Sequence, residues 1–367
     1  MAKFLLEDVE NFGKVDRSNM ISYCVDASRH YVESARAAER ISFEYPKPKN
    51  IIIAGLGGSA IGGELLKDWA REKTPVPIEV NREYDLPGYA NKNTLVVVVS
   101  YSGETEESLG AFLDAVRRKC MIYCVSSGGS LLEFAEKLGV PHLRVAAGMP
   151  PRAALPHMFL PLLVCLEKSQ MVSDFSEELS ETVKILERIS AGNSPERSTE
   201  DNPAKTLALD INGTVPVVYG FGIYRGVAQR FKQQFNENSK MPAKWEYFSE
   251  LNHNEIVGWE ESGKLGPCFS TIFIRDKNEP DEIRARIETT LKLMQPMKMF
   301  EVWSQGKSSL ARMLSTILVG DFVSVYLAIL RGVDPTPVKT ISLLKEKMKQ
   351  SKTKDRIIGE LERIASK

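Results

Sequence analysis

The segment Thr94–Ser100, TLVVVVS, places five apolar residues in succession between two hydroxyl residues. A strand shows alternate side chains to opposite faces, so an apolar run without alternation has to be covered on both sides. IIIAG from Ile51, VPIEV from Val76 and KCMIYCVS from Lys119 are further runs of this kind. ETEESLGAFLDAVRRK and GSLLEFAEKLG lie between or after them and carry helical periodicity. Strands alternating with helices in this way require a parallel sheet with helices on both faces, a doubly wound α/β layer. The pattern restarts after residue 205: TVPVVYGFG, STIFIRD and KMFEVWSQ each lead into a helical stretch. With 367 residues the chain has room for two such layers, and it reads as a weak internal duplication.

The boundaries follow from where the pattern stops. A helical N-terminal segment covers 1–45, with helix expected over about 16–43, and the first α/β unit covers 46–170. A helical linker that ends in the polar, Pro-bearing AGNSPERSTEDNP covers 171–204, the second unit covers 205–335, and a C-terminal helix occupies 336–367. Lys plus Arg and Asp plus Glu both number 48, so the net charge is zero. That balance argues against a nucleic-acid or membrane-surface partner, and any anionic ligand should be small and held locally. The five cysteines include no C-x-x-C pair and read as core residues in a reducing compartment. No apolar run appears long enough to span a bilayer, and a soluble cytoplasmic protein is expected.

Two loops carry the chemistry. AGLGGSAIGG contains Gly55-x-Gly57-x-x-Ala60 between a strand and a helix, which fits a dinucleotide-binding turn, with Glu79 as a possible ribose acid. SYSGET from Ser100 ends the most apolar strand. In an open parallel sheet, ligands bind beyond the carboxyl ends of the strands, where helix amino termini present N–H groups. Ser100, Ser102 and Thr105, with Gly103 between them, offer an uncharged cradle suited to a phosphate monoester. Helix capping by Ser102 or Thr105, with Glu104, Glu106 and Glu107 matching the helix dipole, is the alternative, and it accounts for one hydroxyl of the three.

GLGGSAIGG followed by SYSGETEES resembles the sugar isomerase (SIS) domain. GMPPRAALPHM, FNENSKMPAKWEYFSELNHNEIVGW and RGVDPTPVKTISLLK narrow the resemblance to the bifunctional phosphoglucose/phosphomannose isomerase family, over nearly the whole chain. The resemblance implies two doubly wound parallel-sheet SIS domains, Rossmann-like or flavodoxin-like three-layer αβα in architecture, with helical N- and C-terminal segments. It implies a homodimer that interconverts fructose 6-phosphate with glucose 6-phosphate and mannose 6-phosphate, without metal or other cofactor. It assigns Gly57, Gly58, Ser59, Ser100, Ser102 and Thr105 to substrate binding. A non-catalytic SIS module that senses a sugar phosphate, and a nucleotide-dependent oxidoreductase using the first Gly-rich turn, are the competing readings.

Aldose–ketose isomerisation needs a base acting between C1 and C2, a ring-opening group and positive charge near the enediolate. Glu237 in FNENSK is the candidate base, near the carboxyl end of an expected helix where the dipole disfavours an anion. The resemblance gives His253 in ELNHNEI the ring-opening role, donated across the dimer interface, and gives Arg152 in PPRAALP the enediolate. Arg152 is expected to open a helix, where its charge opposes the dipole unless an anion is close. Lys345 falls within the stripe Val338, Ile341, Leu344 and Met348 of an expected helix, so it should point inward and need an anionic or hydroxyl partner. Some family members carry a small hydroxyl residue seven positions before this lysine, a feature linked to accepting both C2 epimers. Here that position is Val338, flanked by Thr336 and Thr340.

Overall fold

The computed structural model describes residues 2–42, 44–294 and 298–366. They form two units, one of residues 30–175 with 338–367 and the other of residues 1–29 with 176–337.

The first unit is built on five parallel strands: β1 (Asn50–Ala54), β2 (Ile78–Asn81), β3 (Thr94–Val99), β4 (Met121–Ser126) and β5 (His142–Arg144). Every residue of β3 and β4 is buried, as their lack of alternation requires. The spatial order is β2-β1-β3-β4-β5. The chain reverses its direction of progress between β1 and β3, so the crevice beyond their carboxyl ends is the ligand position of this topology. Val96, Val98, Ile52 and Cys124 pack with Leu109 and Phe112 of helix Glu106–Arg117 and with Leu131 and Phe134 of helix Gly129–Lys137. Ile357 and Leu361 of the tail helix Thr353–Ala365 complete this cluster, and each contributes about 1.5–3 kcal/mol by its burial.

The second unit has four parallel strands, β6 (Val215–Phe221), β7 (Lys244–Phe248), β8 (Phe269–Arg275) and β9 (Lys298–Trp303), in the order β7-β6-β8-β9. Its core helix is Ser309–Leu330, packed against helices Ser176–Gly192, Pro203–Ile211 and Arg225–Glu237. This helix corrects the reading of the apolar runs. Ser, Thr and Asp interrupt it in sequence, yet its 22 residues are long and apolar enough to cross a membrane, and 89% of its most apolar window is buried in the fold. Its Asp321 accepts hydrogen bonds from Arg230 (3.0 Å) and Gln234 (2.8 Å) of helix Arg225–Glu237.

Two further readings change. The helix expected over 16–43 is interrupted at Asp26, giving Met20–Val25 and Ala27–Ala38, and Asp16 holds the first of these by accepting from the backbone N–H of Met20 and Ile21. The polar stretch before residue 204 is tied down, because the buried Lys205 ammonium donates to the carbonyls of Pro195, Arg197 and Leu6, each at 2.7 Å.

Candidate active site

At the β1/β3 crevice the two motif loops interlock. Gly57 has φ +53°, a left-handed conformation that favours glycine, and caps helix Gly58–Ala70 without a side-chain hydrogen bond. Ser59 Oγ accepts from the backbone N–H of Tyr101 at 3.3 Å, joining the first loop to the second. Thr105 is the N-cap of helix Glu106–Arg117, yet its side chain makes no capping bond. The capping explanation of SYSGET therefore fails for Thr105. Ser102 Oγ accepts instead from Glu104 N–H at 3.2 Å, within the turn. Two helix amino termini thus face the crevice with no side chain of their own capping them, and such a terminus attracts anions.

The three hydroxyls differ in exposure. Ser100 is buried, its Oγ accepting from Gly103 N–H (3.1 Å) and donating to Thr105 Oγ1 (3.1 Å), so it shapes the loop rather than facing outward. Ser59 is buried as well. Ser102 is exposed and Thr105 half-buried. Gly103 has φ +69°, and a Cβ there would stand 1.8 Å from the carbonyl oxygen of Gly128. Gly103→Ala is expected to cost about 2 kcal/mol through left-handed strain and overpacking, and to weaken inorganic phosphate binding. Thermal unfolding with and without phosphate measures both effects.

Glu104 fixes the outer wall of this loop. Its carboxylate accepts from Ser130 N–H at 2.8 Å and pairs with Lys354 of the tail helix. Burial pushes its pKa up, but the Lys354 ammonium and the Ser130 hydrogen bonds outweigh that and hold it below the usual value.

Arg152 belongs to the same crevice. It is buried in the turn that precedes helix Leu155–Lys168 rather than at the helix opening itself, since the chain enters the helix from Ala154. A Cβ on Gly58 would lie 2.8 Å from the carbonyl oxygen of Pro151 and 3.4 Å from the backbone nitrogen of Arg152, so glycine permits this close approach. Tyr101, which the sequence reading passed over, ties the turn to the second loop: its hydroxyl donates to Ala146 O (3.0 Å) and accepts from Met149 N–H (2.9 Å). An aromatic residue between two serines was the only sequence signal of this role. Glu79, the candidate ribose acid, lies within β2, and its carboxylate accepts from the Tyr89 hydroxyl at 2.6 Å.

In the second unit, Glu237 is the last residue of helix Arg225–Glu237, as expected, and is half-buried. That helix is strapped to the core helix along one line. Phe231 is pressed against Gly320, Arg230 and Gln234 bond Asp321, and Asn238 and Ser239 bond Ser324. Lys240 donates to the carbonyls of Glu237 and Pro335, which fixes the DPTP segment beside the NENSK motif. His253 is exposed, in the short turn Glu250–His253 after β7. Topology separates these two residues. The helix starts after β6 and runs back along it, so Glu237 emerges at the amino edge of the sheet, whereas His253 follows the carboxyl end of β7. The four steps of β7 alone span about 13 Å at ~3.3 Å per residue. The carboxyl-end crevice between β6 and β8 is occupied by the protein itself, with Tyr224 hydrogen-bonded to Asp276 and Ser304, and Arg312 paired with Asp276.

Lys345 departs from expectation. Its helix, Lys339–Met348, has no buried residue, and Ile341, Leu344 and Met348 are 41%, 59% and 39% exposed. The stripe is present, but the lysine does not point into a core. Val338 is the half-buried N-cap of this helix.

Residues 200–348 match the family model described as the bacterial phospho-glucose isomerase C-terminal SIS domain. The chain is 42% identical to the bifunctional phosphoglucose/phosphomannose isomerase of Caldicellulosiruptor bescii, an alignment covering 82% of this chain and 90% of that protein. It is 33% identical to the protein of the same name from Aquifex aeolicus, over 85% and 94% of the two chains. A solved structure of a putative phosphosugar isomerase from Clostridium difficile superposes with a TM-score of 0.70 at 17% identity, covering 89% of this chain and 97% of that one, which shows a shared fold.

Proposed function

Because the chain belongs to the bifunctional phosphoglucose/phosphomannose isomerase family, and is a sugar-phosphate isomerase, we propose that it interconverts fructose 6-phosphate with glucose 6-phosphate and mannose 6-phosphate through a cis-enediol, as a cytoplasmic homodimer without metal or other cofactor. The observation that carries this reading is the meeting of the Gly57–Ser59 loop, the Ser100–Thr105 loop and the Arg152 turn at the β1/β3 crevice, beside two helix amino termini whose N-cap residues, Gly57 and Thr105, make no side-chain capping bond. In this reading Ser102, Thr105 and the backbone of Gly57 and Gly58 hold the phosphate, and Ser59 and Ser100 set the loops in position.

Glu237 takes the proton from C1 of the ketose and returns it to C2 of the aldose, Arg152 balances the charge that develops on the enediolate, and Lys345 contacts a sugar oxygen. His253 opens the ring. Its separation from Glu237 along β7 supports donation from the partner chain, because one unit does not bring both to one pair of carbons. Refolding Glu237→Gln and His253→Ala subunits together tests that point. Random assembly puts both intact residues into about a quarter of the sites, so activity should return to that fraction, and no recovery would exclude an intersubunit site. The reaction itself is tested by incubating the purified protein with fructose 6-phosphate and following both aldoses. Formation of neither would reject the proposal.

A further inference from the structure

The first unit holds another cluster that the isomerase chemistry does not use. His30 and Glu33 are one turn apart on helix Ala27–Ala38 and share a face. His157, in the first turn of helix Leu155–Lys168, meets them: the two imidazole centroids are 6.1 Å apart at 64°, and Glu33 Oε2 is 3.6 Å from His30 Nδ1. One ligand atom from each of the three residues lies within 4.8 Å of the others. Ser34 Oγ donates to the carbonyl of Pro156 at 2.9 Å, so the two helices are pinned one residue away from the cluster on each side.

His30 and His157 are 6% and 2% exposed, while the Glu33 side chain is 46% exposed and leaves an approach from solvent. His157 Nε2 is buried and meets no hydrogen-bond partner among the described residues. A ligand at that point would satisfy this nitrogen. Two imidazoles and one carboxylate are a donor set for zinc-like ions, not for magnesium or calcium, which prefer all-oxygen shells. Bonds of about 2.0–2.1 Å to a tetrahedral ion put ligand atoms roughly 3.4 Å apart, close to the His30–Glu33 separation.

We propose that His30, Glu33 and His157 bind one divalent transition ion, best matched by zinc, with water as fourth ligand, and that the ion clamps helix Ala27–Ala38 to helix Leu155–Lys168. The site would be structural and stands apart from the isomerase reading.

The test uses the full-length protein, stripped with a chelator and titrated first with Co²⁺ and then with Zn²⁺. The expected result is one Co²⁺ per chain with the visible absorption of tetrahedral coordination, bleached by one equivalent of Zn²⁺, and an unfolding midpoint raised by several degrees. Glu33→Gln, at an exposed position where folding is preserved, should weaken Co²⁺ binding roughly tenfold or more and remove the midpoint shift. His157→Gln should abolish the absorption. Lack of a stoichiometric visible band, persistence of the same band in Glu33→Gln, or a midpoint indifferent to Zn²⁺ would each overturn the site.

Discussion

Glu237→Gln is expected to lower kcat for fructose 6-phosphate by about 10²–10⁴-fold, the usual contribution of a positioned general base, while KM changes little. The amide has the shape of the carboxylate but does not take a proton from C1. Folding should be indifferent to the change, because the helix is held by residues other than Glu237 itself: Phe231 against Gly320, Arg230 and Gln234 on Asp321, and Asn238 on Ser324. Steady-state kinetics in both directions, with circular dichroism as a control, make the measurement. A kcat within tenfold of the wild type would remove Glu237 from the mechanism.

Asp321→Ala is expected to destabilise the second unit by about 3–5 kcal/mol, because it removes the Asp321 carboxylate from beside the Arg230 guanidinium, which is 2% exposed. Burial pushes the Asp321 carboxyl up, against the pull of Arg230 and the Gln234 hydrogen bond. Urea unfolding gives the stability change. Asp321→Asn, which keeps one of the two acceptor oxygens, should recover part of it. A loss under 1 kcal/mol for the alanine variant would show that the Asp321 bonds are not what holds the Glu237 helix.

The parallel sheets were legible because short, β-branched apolar runs alternate with helical stretches: β3 and β4 are apolar at nearly every position, and every residue of both is buried. The SYSGET loop was legible as a candidate site, since it follows a strand, but the duties of its residues were not. Ser100 and Ser102 are the same residue type two positions apart, and only coordinates show that Ser100 is buried among loop bonds while Ser102 is exposed. Tyr101 and Glu104 act through partners 25 to 250 residues away, which no local pattern records. Lys345 was misread for a related reason. Periodicity at Ile341, Leu344 and Met348 identifies a face, whereas its covering depends on contacts that the helix does not encode. The Lys205 cage was invisible for the opposite reason, because a polar, proline-bearing stretch looks slack until a buried ammonium is found to collect its carbonyls.

Proton transfer through an enediol leaves a mark that binding alone does not. Fructose 6-phosphate incubated with the enzyme in deuterated water should give glucose 6-phosphate and mannose 6-phosphate with deuterium at C2 in a fraction of each, read directly by NMR. Aldose formed without any label at C2, or labelled product from the Glu237→Gln variant at the wild-type rate, would contradict the account.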